Sequence, residues 1–173
     1  IQQEASMKTV EVLDPKEDSI ILDLCAAPGT KTSYLAEYSR NSGKIIANDI
    51  SRNKLSLIRE NIERLGLSNI ELDSFDASVY RSDFEEKFDY VLVDAPCSGL
   101  GVMARKPEIR YNRTMADIKA LAELQRKILS SAIRYLKPGG ILVYSTCTLG
   151  MIENVDNYNF LKADERLTSL EID

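Results

Sequence analysis

Residues able to do chemistry fall into two groups along the 173-residue chain. The first has the spacing of a nucleoside site. Cys25-Ala26-Ala27-Pro28-Gly29-Thr30-Lys31 joins a short apolar run to a helical pattern. A turn of small residues lets a ligand approach the backbone, and the start of a helix leaves N–H groups unpaired. Asp49 follows Gly29 by 20 residues, the distance at which an acid closing a second strand meets ribose hydroxyls. A carboxylate suits that task because it only accepts and can take both donors. The plainer use of Asp49 is to cap the next helix, with Ser51 sharing the job. Asp76 falls where the edge of a base would lie, or is simply a surface-loop acid. The second group is a pair of thiols, Cys97 in Asp94-Ala95-Pro96-Cys97-Ser98-Gly99 and Cys147 in Ser145-Thr146-Cys147-Thr148. A free cysteine is usually a small buried hydrophobe. Two of them beside turn residues, each ending a strand that should neighbour the other at about 4.8 Å, point to one shared crevice.

Counts remove several other chemistries. Histidine is absent, which excludes Ser-His-Asp catalysis, Cys-His proteolysis and His-ligated metals. The three cysteines contain no C-x-x-C pair, which argues against zinc and thioredoxin-type redox, so no metal is expected. A sparse, odd set of thiols without a visible secretory signal suggests a reducing, cytoplasmic setting. No apolar run approaches the ~20 residues of a membrane helix, so no membrane partner is expected. The net charge of −5 speaks against a purely electrostatic nucleic-acid binder but allows a local basic strip. Residues 100–114 supply one: Arg105, Lys106, Arg110 and Arg113 stand against Glu108 alone, with Tyr111 among them. That strip is a loop for a phosphate backbone, or a solvated loop with chance charge. Length and composition suit one globular domain over residues 1–173. A start at Ile1 reads as a fragment, with 1–18 as a lead-in that has no core of its own.

The elements that must position these residues follow from the apolar pattern. Glu4-Ala5-Ser6-Met7 begins a short helix. Strands are expected at about 19–24, Lys44 to Asn48, Asn69 to Leu72, Phe88 to Val93 and Ile141 to Tyr144. Helices are expected from Thr30 to Tyr38, over 52–65 with a stop at Gly66, and from a capping box at Thr114 and Asp117 to a stop at Lys137-Pro138-Gly139-Gly140. Residues 81–87 read as a charged, solvated connection. A last helix is expected over Glu153 to Leu161, and Leu170 to Asp173 could begin another strand. This alternation makes an α/β, Rossmann-like, doubly wound and mostly parallel sheet, truncated at the C-terminus. Such sheets bind ligands outside the carboxyl ends of their strands, where the strand order reverses. Strand one runs into Ala-Ala-Pro-Gly rather than G-x-G-x-x-G, which argues against a dinucleotide dehydrogenase.

The stretches Leu22 to Lys31, Asn48-Asp49, Asp76-Ala77, Val93 to Gly99, Arg105 to Ile109 and Tyr144 to Thr148 resemble, in order, the S-adenosylmethionine-dependent RNA cytosine-5 methyltransferases. That group includes bacterial RsmB and the eukaryotic NSUN enzymes. Pro-Cys after strand four paired with Thr-Cys after strand five is the most specific part. The resemblance implies a class I methyltransferase fold with S-adenosyl-L-methionine as methyl donor. It implies donor contacts from Cys25, Ala26, Ala27, Pro28, Gly29, Thr30, Lys31, Asp49, Asp76 and Asp94. It also implies that Cys147 is the nucleophile, adding to C6 of cytosine, and that Cys97 assists release, with Asp94 placed to bond the cytosine amino group or N3. Help in ionising Cys147 is expected from the donor's charge, Lys31 or the basic strip. The implied partner is RNA, ribosomal before transfer RNA.

Three departures from the family pattern stand out. Gly29-Thr30 replaces the usual Gly-Gly, with Thr30 expected to serve as a helix cap. Glu153-Asn154-Val155 replaces Glu-Asn-Glu, and its likeness to a motif of DNA cytosine methyltransferases is read as coincidence. Later strands and a separate RNA-binding domain are missing. The competing readings are a methyltransferase of this fold with another acceptor, and a non-catalytic RNA-binding or assembly factor.

Overall fold

In the computed structural model, residues 4–102 and 113–170 are described. Helix α1 (Glu4–Leu13) leads into strand β1 (Ile20–Asp23), followed by α2 (Thr30–Tyr38), β2 (Lys44–Asn48), α3 (Arg52–Leu65), β3 (Ile70–Asp73) and β4 (Phe88–Asp94). Then come α4 (Met115–Tyr135), β5 (Leu136–Ser145) and α5 (Val155–Lys162). The five strands form one sheet in the order β3-β2-β1-β4-β5, every pair parallel. The order reverses between β1 and β4, so the sequences following these two strands flank the switch point.

Both faces of the sheet are covered, which is why the strands read as unbroken apolar runs. Ile21, Ile45 and Leu92 pack with Val10 and Leu13 of α1 and with Leu35 and Ala36 of α2. Leu22, Val91 and Val93 face the other way, onto Ile128, Leu129, Ala132 and Tyr135 of α4. The lead-in helix has no core of its own, as expected, yet it contributes two fully buried side chains to the shared one. Helix α3 ends at Gly66 in the left-handed region (φ 65°), and the Thr114–Asp117 capping box starts α4, both as the spacing predicts.

Four expectations are corrected. Helix α2 is capped by Gly29 (φ 98°) with no side-chain cap bond, so Thr30 is its first helical residue and not its cap. Lys137-Pro138-Gly139-Gly140 does not merely stop a helix. Strand β5 already begins at Leu136, which pairs with Phe88, and pairing resumes at Ile141 opposite Tyr90. The four residues between bulge from the ladder, since Pro138 has no N–H to give and Gly139 turns at φ 82°. Within 81–87, Phe84 is buried and edge-on to Phe75, Phe88 and Tyr135, so that connection is pinned to the core. The last helix starts two residues later than expected, leaving Glu153 and Asn154 in the turn before it. Arg105, Lys106, Glu108, Arg110 and Tyr111 of the basic strip, and residues 171–173 of the suggested last strand, lie outside the described residues.

Candidate active site

The β1 turn is built first. Leu24 N–H still bonds Leu92 O at 3.0 Å, and Ala26 N–H bonds Asn48 O at 2.8 Å, so the loop leaves the sheet between its two neighbours. Gly29 then turns at positive φ, where a Cβ would also lie 3.0 Å from Ile58 Cγ1. Only glycine meets both demands without strain. At the end of β2, Asn48 is buried and braces three strand ends. Its Nδ2 donates to Leu24 O and Phe75 O, and its Oδ1 accepts from Phe75 N–H.

Asp49 stands beside this brace. Its Oδ2 accepts from Ala27 N–H at 3.3 Å and its Oδ1 from Ser51 N–H at 2.9 Å. Ser51 makes no side-chain cap bond to α3, and Asp49 bonds the N–H of Ser51 rather than those of the first helical turn. Its carboxylate therefore ties the β1 turn to the end of β2, and a carboxylate's four lone-pair positions leave it acceptor capacity. Asp76 is exposed, and its Oδ1 accepts from the N–H and hydroxyl of Ser78. Those bonds hold its carboxyl below the usual carboxylate range.

Lys31 and Asp94 meet across the switch point. Lys31 Nζ donates to Asp94 Oδ2 at 2.6 Å, and Ser145 Oγ donates to Asp94 Oδ1 at 2.8 Å. Asp94 thus ties its own strand end to the first turn of α2 through Lys31 and to the end of β5 through Ser145.

The thiols come together because β4 and β5 stay in register past their ends. Asp94 pairs with Ser145, and Ala95 N–H bonds Ser145 O at 2.9 Å. Each chain then advances two or three residues to its cysteine. Cys97 Sγ lies 2.8 Å from Cys147 Sγ and accepts the backbone N–H of Cys147 at 3.1 Å. Cys147 is exposed and Cys97 half-buried. The hydrogen bond from Cys97 is the main force that lowers the Cys147 thiol to about 7, against the opposing effect of its burial. The same bond and burial push the Cys97 thiol up. Above about pH 7 the pair therefore holds one proton, on Cys97, with the charge on the more exposed sulfur. Lys31 also lowers the Cys147 thiol, as expected, but by less than the hydrogen bond from Cys97 does. Cys25 is separate from the pair. It packs against the core, and burial together with Asp23, Asp49 and Asp94 raises its thiol well above the usual range.

Sequence reasoning passed over a polar network behind the thiols. Glu153, given no role, is fully buried with Gln125 and Asn157. Ser98 donates to Glu153 through both its N–H and its hydroxyl, and Gln125 Nε2 donates to it at 3.0 Å. The available signal was weak: an acid and an amide in a turn just past Cys147.

Asp23 is another buried acid, 1% exposed. Thr32 Oγ1 donates to its Oδ2 at 2.7 Å, while its Oδ1 has no partner. Burial raises its carboxyl to about 7. The folded value lies above the unfolded one, so its stabilising contribution is complete below about pH 4 and is lost as pH rises through 7. Asp23→Asn cannot ionise there. The melting temperature of the variant minus that of wild type should climb by roughly 5–10 °C between pH 4.5 and 7.5, measured by scanning calorimetry. A flat difference would show that Asp23 is already charged at low pH.

Among the described residues no helix is long and apolar enough to cross a membrane, and no group of three acids or thiols is placed to hold a metal. Residues 10–173 match the family model described as 16S rRNA methyltransferase RsmB/F. The chain is 46% identical over 155 residues to the Bacillus subtilis protein named "Probable ribosomal RNA small subunit methyltransferase B", covering 89% of this chain and 35% of that protein. It is 47% identical over 156 residues to the tRNA (cytosine(72)-C(5))-methyltransferase of Pyrococcus horikoshii, covering 90% of this chain and 39% of that one. The crystal structure of NSun6 from Pyrococcus horikoshii with SFG superposes with a TM-score of 0.82 at 43% identity, over 93% of this chain and 41% of that chain. The chain thus spans well under half of each relative's length. With the match running from the first helix through both thiol loops, the chain belongs to the RsmB/F family of 16S rRNA methyltransferases.

Proposed function

We propose that this protein transfers a methyl group from S-adenosyl-L-methionine to C5 of a cytosine in RNA, through a covalent bond between Cys147 and C6 of the base. The observation that carries the reading is the Cys97–Cys147 pair, 2.8 Å apart at the carboxyl ends of β4 and β5. A methyltransferase of this fold with an oxygen or nitrogen acceptor has no use for a second thiol there. Ribosomal RNA is the first substrate to test, because the family model and the Bacillus relative carry it in their names. Transfer RNA is the second, on the name of the Pyrococcus relative.

The residues present fit the donor. Asp49 has free lone pairs for ribose hydroxyls, and Ile50 next to it is 68% exposed, an apolar surface for a base. Lys31 is neutralised by Asp94 at 2.6 Å, so it does not repel a cationic ligand. The donor, when bound, supplies an electrophilic methyl group on a sulfonium sulfur, and the related NSun6 was solved with SFG, an analogue of it. Asp76 stands farther along the same edge for the base, and Cys25 to Lys31 provide the turn.

The protein's own groups then do the following. Cys147, about half thiolate at pH 7, adds to C6; the S–C6 bond forms and the C5–C6 π pair becomes a nucleophile at C5. Asp94, fixed by Lys31 and Ser145, keeps a lone pair to accept from the cytosine amino group. After C5 takes the methyl, Cys97, its own proton given to solvent once Cys147 is bonded to carbon, removes the C5 proton. That electron pair reforms C5=C6, and Cys147 leaves as thiolate.

The test is to incubate the protein with labelled donor and either ribosomal or transfer RNA transcripts, with DNA of the same sequence as control, and to analyse the nucleosides by mass spectrometry. The expected product is 5-methylcytidine in RNA. Label appearing only in protein or in a small acceptor would overturn the proposal.

A further inference from the structure

The two thiol loops are held from one place. Glu153 and Asn154 are consecutive, and between them they reach residues on both sides of the pair. On the Cys97 side, Glu153 accepts from the N–H of Ser98 at 2.9 Å and from the Ser98 hydroxyl. Gln125, itself bonded to Glu153, donates to Pro96 O at 2.8 Å. Cys97 is thereby gripped through the residue before it and the residue after it. On the Cys147 side, Asn154 Oδ1 accepts from Thr146 Oγ1 at 2.6 Å and its Nδ2 donates to Thr148 O at 2.9 Å. Cys147 is gripped in the same two-sided way. A direct tie, Ser98 Oγ to Thr148 Oγ1 at 2.9 Å, closes the frame. Glu153 O in turn accepts from Tyr144 Oη at 2.7 Å and Asn157 Nδ2 at 3.1 Å, which anchors the turn to β5 and α5. Gly101 completes the enclosure: its N–H bonds Cys147 O at 3.0 Å, and a Cβ there would lie 2.8 Å from that same oxygen.

A buried carboxylate is costly unless donors surround it, and hydrogen bonds to a charged acceptor are about twice as strong as neutral ones. Glu153 meets the first condition with three donors and gains from the second. Neither Glu153 nor Asn154 makes a hydrogen bond to a sulfur.

We infer that Glu153 and Asn154 are positioning residues, which fix Cys97 and Cys147 at hydrogen-bonding separation by holding the residues that flank each thiol. The inference rests on the proposed use of the two thiols, but its test does not need methyl transfer. If the frame sets the sulfur separation, loosening it lengthens the bond by which Cys97 supports the Cys147 thiolate. A merely structural role would lower the melting temperature and leave the ionisation of Cys147 where it is.

The experiment measures alkylation of Cys147 by iodoacetamide against pH, with the modified peptide identified by mass spectrometry. It uses wild type, Glu153→Gln and Asn154→Ala. Glu153→Gln keeps the shape but removes the charge and replaces one acceptor oxygen by an NH₂, which at the Oε2 position faces the donating Ser98 hydroxyl. Asn154→Ala acts at a half-exposed position and keeps the test available if the buried change prevents folding. Wild type should titrate near 7. Each folded variant should titrate at least about one unit higher, toward the ordinary thiol value near 8.5. Binding of S-adenosylhomocysteine by calorimetry should change less than about twofold, since Glu153 and Asn154 touch none of the donor residues. Where turnover is measured, kcat should fall while KM for the donor holds. A folded variant with the wild-type alkylation midpoint would overturn the positioning role and leave the thiol pair standing. A wild-type midpoint at 8.5 would instead remove the premise about the pair.

Discussion

Cys147→Ala is expected to lose methyl transfer by at least on the order of 10⁴-fold, about 5 kcal/mol of barrier, with donor binding intact. Cytosine C5 is a poor nucleophile until a group adds at C6, so without the thiolate the difficult step is not divided. Proximity and donor binding remain in the variant, which is why some residual rate above the uncatalysed one is expected. Cys147→Ser should do little better: its hydroxyl ionises far above neutral pH, and a neutral Cys97 donating one hydrogen bond cannot close that gap. Donor affinity should hold because Asp49, Asp76 and the Cys25 to Lys31 turn follow β2, β3 and β1, two or more strands away from β5, and Asp94, next to β5, is held by Lys31 and Ser145 rather than by Cys147. The measurement is single-turnover methylation of RNA alongside calorimetry of S-adenosylhomocysteine. Retained turnover would remove Cys147 from the mechanism, whatever its ionisation.

Much of this arrangement is legible from local patterns. Ile20 to Leu24 followed by Pro28-Gly29 states strand, turn and helix within a dozen residues. Asp94 and Ser145 end adjacent parallel strands, so two cysteines just beyond them had to come close. Where the reading missed, the cause was distance along the chain. Glu153 looks like an ordinary helix-start acid because its partners Ser98 and Gln125 are 55 and 28 residues away. Lys31 looks unpaired until Asp94, 63 residues later, meets it, and the larger help to Cys147 comes from Cys97, 50 residues away. Lys137-Pro138-Gly139-Gly140 has the composition of a helix stop, and only the pairing of Leu136 with Phe88 shows that a strand has already begun. Thr30 is a good capping residue by type, but Gly29 holds the cap position, because Ile58 leaves no room there for a side chain.

Cys97→Ala should trap the protein on its substrate and should also make that trapping depend on pH in a defined direction. In the resting pair the largest influence raising the Cys97 thiol is its hydrogen bond to Cys147. Once Cys147 carries carbon, its negative charge is spent and that influence disappears. The backbone N–H of Cys147 still points at Cys97 Sγ from 3.1 Å, and a donor there favours thiolate. Adduct formation therefore makes Cys97 more acidic than it is in the resting pair, although burial still raises it, so that it can give its proton to solvent and take the one from C5. Alanine removes that base, so elimination should slow by roughly 10² to 10⁴-fold, the usual worth of a general base. A protein–RNA band should then persist on a denaturing gel under turnover conditions. The same substitution deletes the hydrogen bond that lowers Cys147, so its ionisation should move up from about 7 toward 8.5. Trapped complex should consequently form slowly at pH 7 and increase through pH 8 to 9, with a midpoint matching the alkylation midpoint of the variant. Free protein alone at pH 9, with donor and RNA present, would contradict the release role of Cys97. A trapped band with no pH dependence would keep that role and reject Cys97 as the group that ionises its partner.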